Sequence, residues 1–279
     1  MANSFKQMKN NGTLKRTDSG MFIRLDDIHV QDGFNKRVDD ERTQAADDDL
    51  FNHLSHGKPV PPLEVRPRDD GGVWIVEGHR RHRAYSRCRD TGKPVEWIAI
   101  LPFTGSDVER IARIMNSNSQ LALTPYEQSQ VVKELAGFNL SPDEIATLVG
   151  KSRSTVDKLL TLTQANHDVQ ALVREGSVAV DAAVDRVKEH GEAAGKVLAG
   201  DVENAKKAGK KKVTKSFIAP KFSAPKSRNL VKVFAQAEVR EIDGQTAYIL
   251  PAGTQLDVLA ILDDYRSTST KENSDDQAL

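Results

Sequence analysis

Residues 140–162, LSPDEIATLVGKSRSTVDKLLTL, decide the reading of this chain. Ser141 is a residue type that caps helices through its side-chain oxygen, Pro142 suits the first helical position, and an acid follows in the first turn. Ala146, Gly150 and Val156 fall at the offsets where a helix-turn-helix needs a small residue at the crossing, a turn glycine, and an apolar tie between its two helices. Ile145, Leu148, Val149, Leu159 and Leu160 supply the shared core. The second helix then begins near Ser152. This sets Lys151, Ser152, Arg153, Ser154, Thr155 and Lys158 on or near its exposed first turn, where such groups suit phosphates and base edges in the major groove. A purely structural helix pair is the competing reading, but the offsets, the cap and the polar first turn together favour double-stranded DNA as a partner.

Outward from this stretch the chain divides by composition. Residues 124–205 contain no convincing strand, only helix-length segments separated by Gly137, Gly150, Gly176 and Gly191, which predicts an all-α middle domain. Residues 206–228 form a basic linker carrying Lys206, Lys207, Lys210, Lys211, Lys212, Lys215, Lys221 and Lys226, with Pro220 and Pro225 resisting helix formation. Most such runs are solvated linkers, although one held near a duplex adds salt-sensitive affinity. In residues 229–266, strands over 237–242 and 246–250 flank Asp243-Gly244, and a helix over 254–265 carries the Leu256, Leu259 and Leu262 stripe. That module is too small to bury its stripe alone, so pairing with a second copy, as a homodimer, is expected. Residues 267–279 read as disordered and 1–20 as a flexible tail.

Residues 21–123 mix strand and helix. Leu63 and Val65 alternate as in a strand, residues 69–72 turn, 73–76 return as a strand, and 80–87 begin a helix directly after Glu77-Gly78. A strand, a tight glycine turn and a helix start place unpaired amides where an anion fits. Within 77–83, EGHRRHR, Gly78 allows close backbone approach, and Arg80, Arg81 and Arg83 offer forked donors to phosphate oxygens. A solvated or acid-paired arginine face is the alternative on these residues alone.

The order of segments resembles the ParB family. EGHRRHRA is similar to that family's GERRxRA box, DGFNKR and GKPVPPLEVRP to its first conserved stretch, MNSNSQLALTPYEQ to the ENxQRxxLTPxE segment that closes its nucleotide pocket, and REGSV to part of its helical domain. The similarity runs over roughly residues 21–190 and is closest to phage and plasmid members. It implies an α+β ParB/sulfiredoxin-like domain over 21–123, followed by the helix-turn-helix domain, with a small β-hairpin and helix at the C-terminus. It further implies that CTP with Mg2+ binds the pocket and drives closure of a dimeric clamp on DNA, in partition or transcriptional regulation. Carried over by residue, Gly78, His79, Arg80 and Arg81 face the phosphates, with Asn116 or Asn118 in the role of the family asparagine. The resemblance adds a ParA-type ATPase to the expected partners.

The chain departs from the family pattern in two places. His79 stands where the family has glutamate, and the closing segment lacks the family's acid and arginine. A lost carboxylate near the phosphates favours nucleotide binding over hydrolysis, and leaves a weak CTPase, a ParB-like nuclease, or a regulator with an inactive pocket as alternatives. Sulfiredoxin chemistry requires a nucleophilic cysteine at the position held here by Gly78.

Composition sets the outer limits. The 279 residues carry 40 basic and 40 acidic side chains, so attraction to polyanions must come from local patches. Cys88 is the single cysteine, which excludes an internal disulfide framework and fits a reducing cytoplasm. No apolar run approaches the roughly 20 residues of a membrane span. The histidines show no metal-ligand spacing. Internal salt links on Arg80 and Arg81, combined with burial of Arg153, would count against the whole reading.

Overall fold

The computed structural model describes residues 3–116, 121–218, 224–242 and 244–263, in two compact units, 1–215 and 216–279. The first unit opens with α1 (Phe5–Asn10) and β1 (Leu14–Thr17), followed by β2 (Gly20–Arg24) and β3 (Ile28–His29). The expected flexible tail is therefore corrected. Met8 and Leu14 are buried, and Leu14 pairs with Ile23 across the antiparallel β1–β2 ladder. Two isolated apolar residues show no periodicity, yet they close one edge of the sheet core.

After α2 (Glu41–Ser55) come β4 (Leu63–Pro67), β5 (Val73–Glu77), α3 (His79–Asp90) and β6 (Trp97–Pro102). The six strands form one mixed sheet in the order β1-β2-β6-β4-β5-β3. β4 runs antiparallel to β5 and parallel to β6, with Leu63 opposite Ile100. Inward-facing Ile23, Leu63, Val65, Val73, Ile75, Ile98 and Ile100 make the core of this layer. α3 packs on α2, and Cys88 is buried with its thiol pushed above its ordinary range by desolvation, as suits a packing residue.

α4 (Asp107–Asn116) leads into α5 (Pro125–Ala136), α6 (Pro142–Val149), α7 (Arg153–Gln164), α8 (His167–Arg174), α9 (Val180–His190) and α10 (Ala194–Lys207). Ile111, Ala112 and Ile114 of α4 share one apolar cluster with Val131, Leu135, Ile145, Val149, Val156 and Leu159, so the core continues across the expected border at residue 123.

The basic stretch is more ordered than a linker. Lys206 and Lys207 complete α10, while α11 (Lys215–Ile218) and α12 (Ala224–Ala235) are helical. Pro220 and Lys221 lie outside the described residues. In the second unit, β7 (Glu238–Ile242) and β8 (Gln245–Ile249) form the expected antiparallel hairpin, with Ile242 opposite Gln245 and Gly244 at a left-handed φ of 73°. Asp243 is outside the described residues, as are 264–279. Residues 255–263 are helical, and Val233, Val258 and Ile261 are buried, but Leu256 and Leu259 are 79% and 52% exposed. Among the described residues no helix is long and apolar enough to cross a membrane.

Candidate functional site

Gly78 joins β5 to α3 at φ 105°, a conformation that L side chains rarely adopt. A Cβ there would also approach Leu63 Cδ2 to 2.5 Å, so both backbone and packing require glycine. The turn sets the start of α3 against a cavity of about 850 Å³. Gly78, His79, Arg80, Arg81 and Asn116 all line it, joined by Arg37, Asp49, Glu64, Glu77 and Arg113. Five of the six expected nucleotide-pocket residues are thus brought together. The sixth, Asn118, is outside the described residues.

The arginines of this pocket already have internal partners. Arg80 donates through Nε to Asp47 Oδ1 at 2.6 Å and through Nη2 to the Ala46 carbonyl at 2.5 Å. Arg81 donates to the carbonyls of Pro61 and Pro62 at 2.5 and 2.6 Å and pairs with Glu77. Arg81 therefore ties the proline turn before β4 to the start of α3, whereas Arg80 is held by a neighbouring helix. Arg83 shares Asp47 with Arg80, at 2.6 Å, and Arg87 pairs with Asp48. An arginine on α3 at spacings of three and four thus meets the acids of α2. Arg113 forms a forked pair with Glu64, whose hydrogen bonds raise the guanidinium's affinity for its proton.

His79 contributes no charge. Its ring packs against Phe34 with centroids 5.7 Å apart, its buried Nε2 has no hydrogen-bond partner, and its pKa is lowered to about 4. Burial is the main cause, followed by the electrostatic influence of His82, Arg83, Arg110 and Arg37. Asn116 lines the cavity while its Nδ2 donates to the Leu148 carbonyl in α6 at 2.9 Å. The segment that closes the cavity is tied down by two arginines that sequence reasoning did not single out. Arg37 donates to the Leu121 carbonyl, and Arg42 to the Ala122 carbonyl and to Glu127, a fully buried carboxylate that also completes a capping box with Thr124.

The α6–α7 pair is built as its capping residues dictate. Ser141 and Glu144 form a reciprocal capping box, Pro142 occupies the first turn, and Gly150 ends α6 at φ 62°. Ser152 caps α7 by accepting from Thr155 N–H at 3.2 Å. Its hydroxyl also meets that of Thr155 at 2.9 Å, so both are engaged within the turn. Arg153 is half exposed, donating to Asp143 at 2.5 Å and Asp157 at 3.0 Å, and Lys158 pairs with Asp181 at 2.5 Å. Lys151 and Ser154 are exposed. Of the two conditions that count against the reading, internal links on Arg80 and Arg81 are met and burial of Arg153 is not.

The chain thus combines a mixed sheet that carries an arginine-walled cavity at a helix start with a capped helix-turn-helix. Residues 122–232 match the ParB HTH domain family. The chain is 34% identical over 41% of its length to the probable chromosome-partitioning protein ParB of Vibrio cholerae, covering 38% of that protein. It is also 30% identical over 43% of its length to the chromosome-partitioning protein Spo0J of Thermus thermophilus, covering 42% of it. The matched region thus spans about two fifths of these curated relatives. Among solved structures, the C-terminally truncated ParB of Caulobacter crescentus complexed to the centromeric parS site aligns with 67% of this chain and 92% of its own, at TM-score 0.47 and 22% identity. Over residues 122–232 the chain thus resembles the helix-turn-helix domain of the ParB family.

Proposed function

We propose that this chain is a ParB-like DNA-binding protein whose helix-turn-helix reads duplex DNA and whose arginine-walled cavity takes a nucleoside triphosphate of the CTP type, controlling closure of a dimer on DNA. Partition or transcriptional regulation follows from that mechanism. The observation that carries the reading is the α6–Gly150–α7 unit, with Lys151, Arg153 and Ser154 exposed on the first turn of α7, inside the segment that matches the ParB HTH domain. A helix start with free amides and several guanidinium groups around a cavity of about 850 Å³ supports the nucleotide half. The exposed Leu256 and Leu259 support pairing of two copies through the second unit. A ParA-type ATPase as motor partner belongs to the same reading.

Magnesium fits this chain poorly as a protein-held ion. Among the described residues no group of three His, Cys, Asp or Glu side chains is arranged to hold a metal, and Glu64 and Glu77 are engaged by Arg113 and Arg81. A second reading, a DNA-binding regulator whose cavity binds no nucleotide, is favoured by the saturation of Arg80 and Arg81 with internal acceptors. A calorimetric screen with CTP, ATP and GTP, repeated with and without genomic DNA fragments whose retained members are sequenced, separates the two. Nucleotide heat together with enrichment of one DNA sequence supports the first reading. Enrichment without heat leaves the second, and no retention of DNA refutes both.

A further inference from the structure

The face expected to meet DNA is close to electroneutral. Lys151, Arg153 and Lys158 are matched in number by Asp143, Asp157 and Asp181, and the last two of these cations are directly paired with those acids. Phosphates alongside α7 would meet about as much repulsion as attraction, so the affinity that positions a duplex has to come from another surface.

Residues 206–212, KKAGKKK, hold five lysines in seven positions, all five exposed. Among the described residues none of the five forms an ion pair, in contrast to Arg153, Lys158, Arg186 and Lys215. The segment is also fixed in place. Lys206 and Lys207 sit in the last turn of α10, where the helix dipole favours cations, and Gly209 takes the left-handed turn at φ 68° while Lys210 N–H returns to the Ala205 carbonyl at 2.8 Å. Immediately after the lysines, fully buried Val213 donates to the Ser177 carbonyl at 2.9 Å and accepts from Ala179 N–H at 2.8 Å, forming a parallel bridge with Val178. Asp181, two residues beyond Ala179, is the partner of Lys158 on α7. The lysine hook is thereby pinned beside the same end of α9 that the reading helix contacts.

We propose that this hook is a fixed phosphate-binding surface, which grips the backbone of duplex DNA independently of sequence while α7 contacts the bases. The proposal rests on the DNA-binding reading given above. It assigns affinity and sequence preference to different parts of the helical domain.

The test uses the full chain and two duplexes of equal length, one of random sequence and one from the pool retained in the genomic screen. Binding by fluorescence anisotropy is followed across KCl concentration for wild type, for the triple variant Lys210→Gln, Lys211→Gln, Lys212→Gln, and for the corresponding triple Lys→Arg variant. Each phosphate contact adds about 0.9 to the slope of log K against log salt, so the glutamine variant should lose about 2–3 from the slope and at least about tenfold in affinity on both duplexes, and the arginine variant should restore both. These side chains are exposed, so melting temperatures should match wild type. An unchanged slope in the glutamine variant, or a loss confined to the retained duplex, overturns the proposal and leaves the DNA-binding reading standing. A wild-type chain that binds neither duplex overturns that reading and the proposal together.

Discussion

Replacing Asp47 by asparagine tests how the arginine-walled cavity is held before any ligand arrives. Asp47 accepts from Arg80 Nε at 2.6 Å and from Arg83 Nη2 at 2.6 Å, and the Arg80 and Asp47 side chains are only 15% and 23% exposed. A triphosphate that recruits Arg80 has to displace this carboxylate, which acts as a resident competing anion. Hydrogen bonds between ionised groups in a partly buried setting contribute about 1.5–3 kcal/mol, of which solvent around half-exposed Arg83 screens a part. Removing the charge should therefore cost about 1–2 kcal/mol of unfolding free energy. It should also strengthen CTP binding by roughly 5- to 30-fold, because 1.4 kcal/mol is a factor of ten. Asp48→Asn is the control. Its pair with Arg87 is at least half exposed on both sides, so it should change stability by no more than about 0.5 kcal/mol and leave nucleotide affinity unchanged. Urea denaturation and calorimetry under one salt condition supply both quantities. The reasoning is refuted if wild type binds CTP and the Asp47 variant binds it no more tightly.

Gly78→Ala combines a left-handed backbone with a 2.5 Å approach to Leu63 and should cost about 3 kcal/mol in denaturant titration, whereas Gly150→Ala, with φ 62° but open space around its Cβ, should cost about 1 kcal/mol. His79, at about 4 in the folded chain against 6.5 as its ordinary value, is neutral in both states above pH 6.5; below that the unfolded chain takes up the proton first, so stability is full above 6.5 and is lost as pH falls through about 4. That loss amounts to up to about 3 kcal/mol, and His79→Gln should flatten the corresponding part of the pH–stability curve. Leu256→Glu with Leu259→Glu should shift sedimentation from dimer to monomer without lowering the melting temperature of the first unit, and an unchanged dimer would exclude this surface as the contact.

The helical domain was legible because its signals are local. Ser141, Pro142, Gly150 and Ser152 each act within one turn of their own position, and the structure uses them as a cap, a first helical residue, a stop and a second cap in turn. The order of 3–17 was not legible, because Leu14 becomes a strand residue only by pairing with Ile23. Likewise 206–212 reads as linker until Val213 is seen bridged to Val178, a partner far away in sequence.

The cavity lies between these extremes. Its glycine and the chemistry of its walls follow from EGHRR, but the state of its charges does not, since that depends on α2 lying against α3. A signal was nonetheless present. Asp47 and Asp48 are consecutive acids, on what the structure shows to be α2, and Arg80, Arg83 and Arg87 repeat at spacings of three and four along α3, a pattern suited to a ladder of pairs between two packed helices. Read in that way, the arginine box carries two functions in different residues. Arg81, bound to two backbone carbonyls and Glu77, is part of the frame, and its removal should unfold the turn. Arg80, held chiefly by one exchangeable carboxylate, is the guanidinium that a phosphate can claim, so nucleotide binding in this chain should be governed by the strength of the Asp47 contact more than by the number of arginines present.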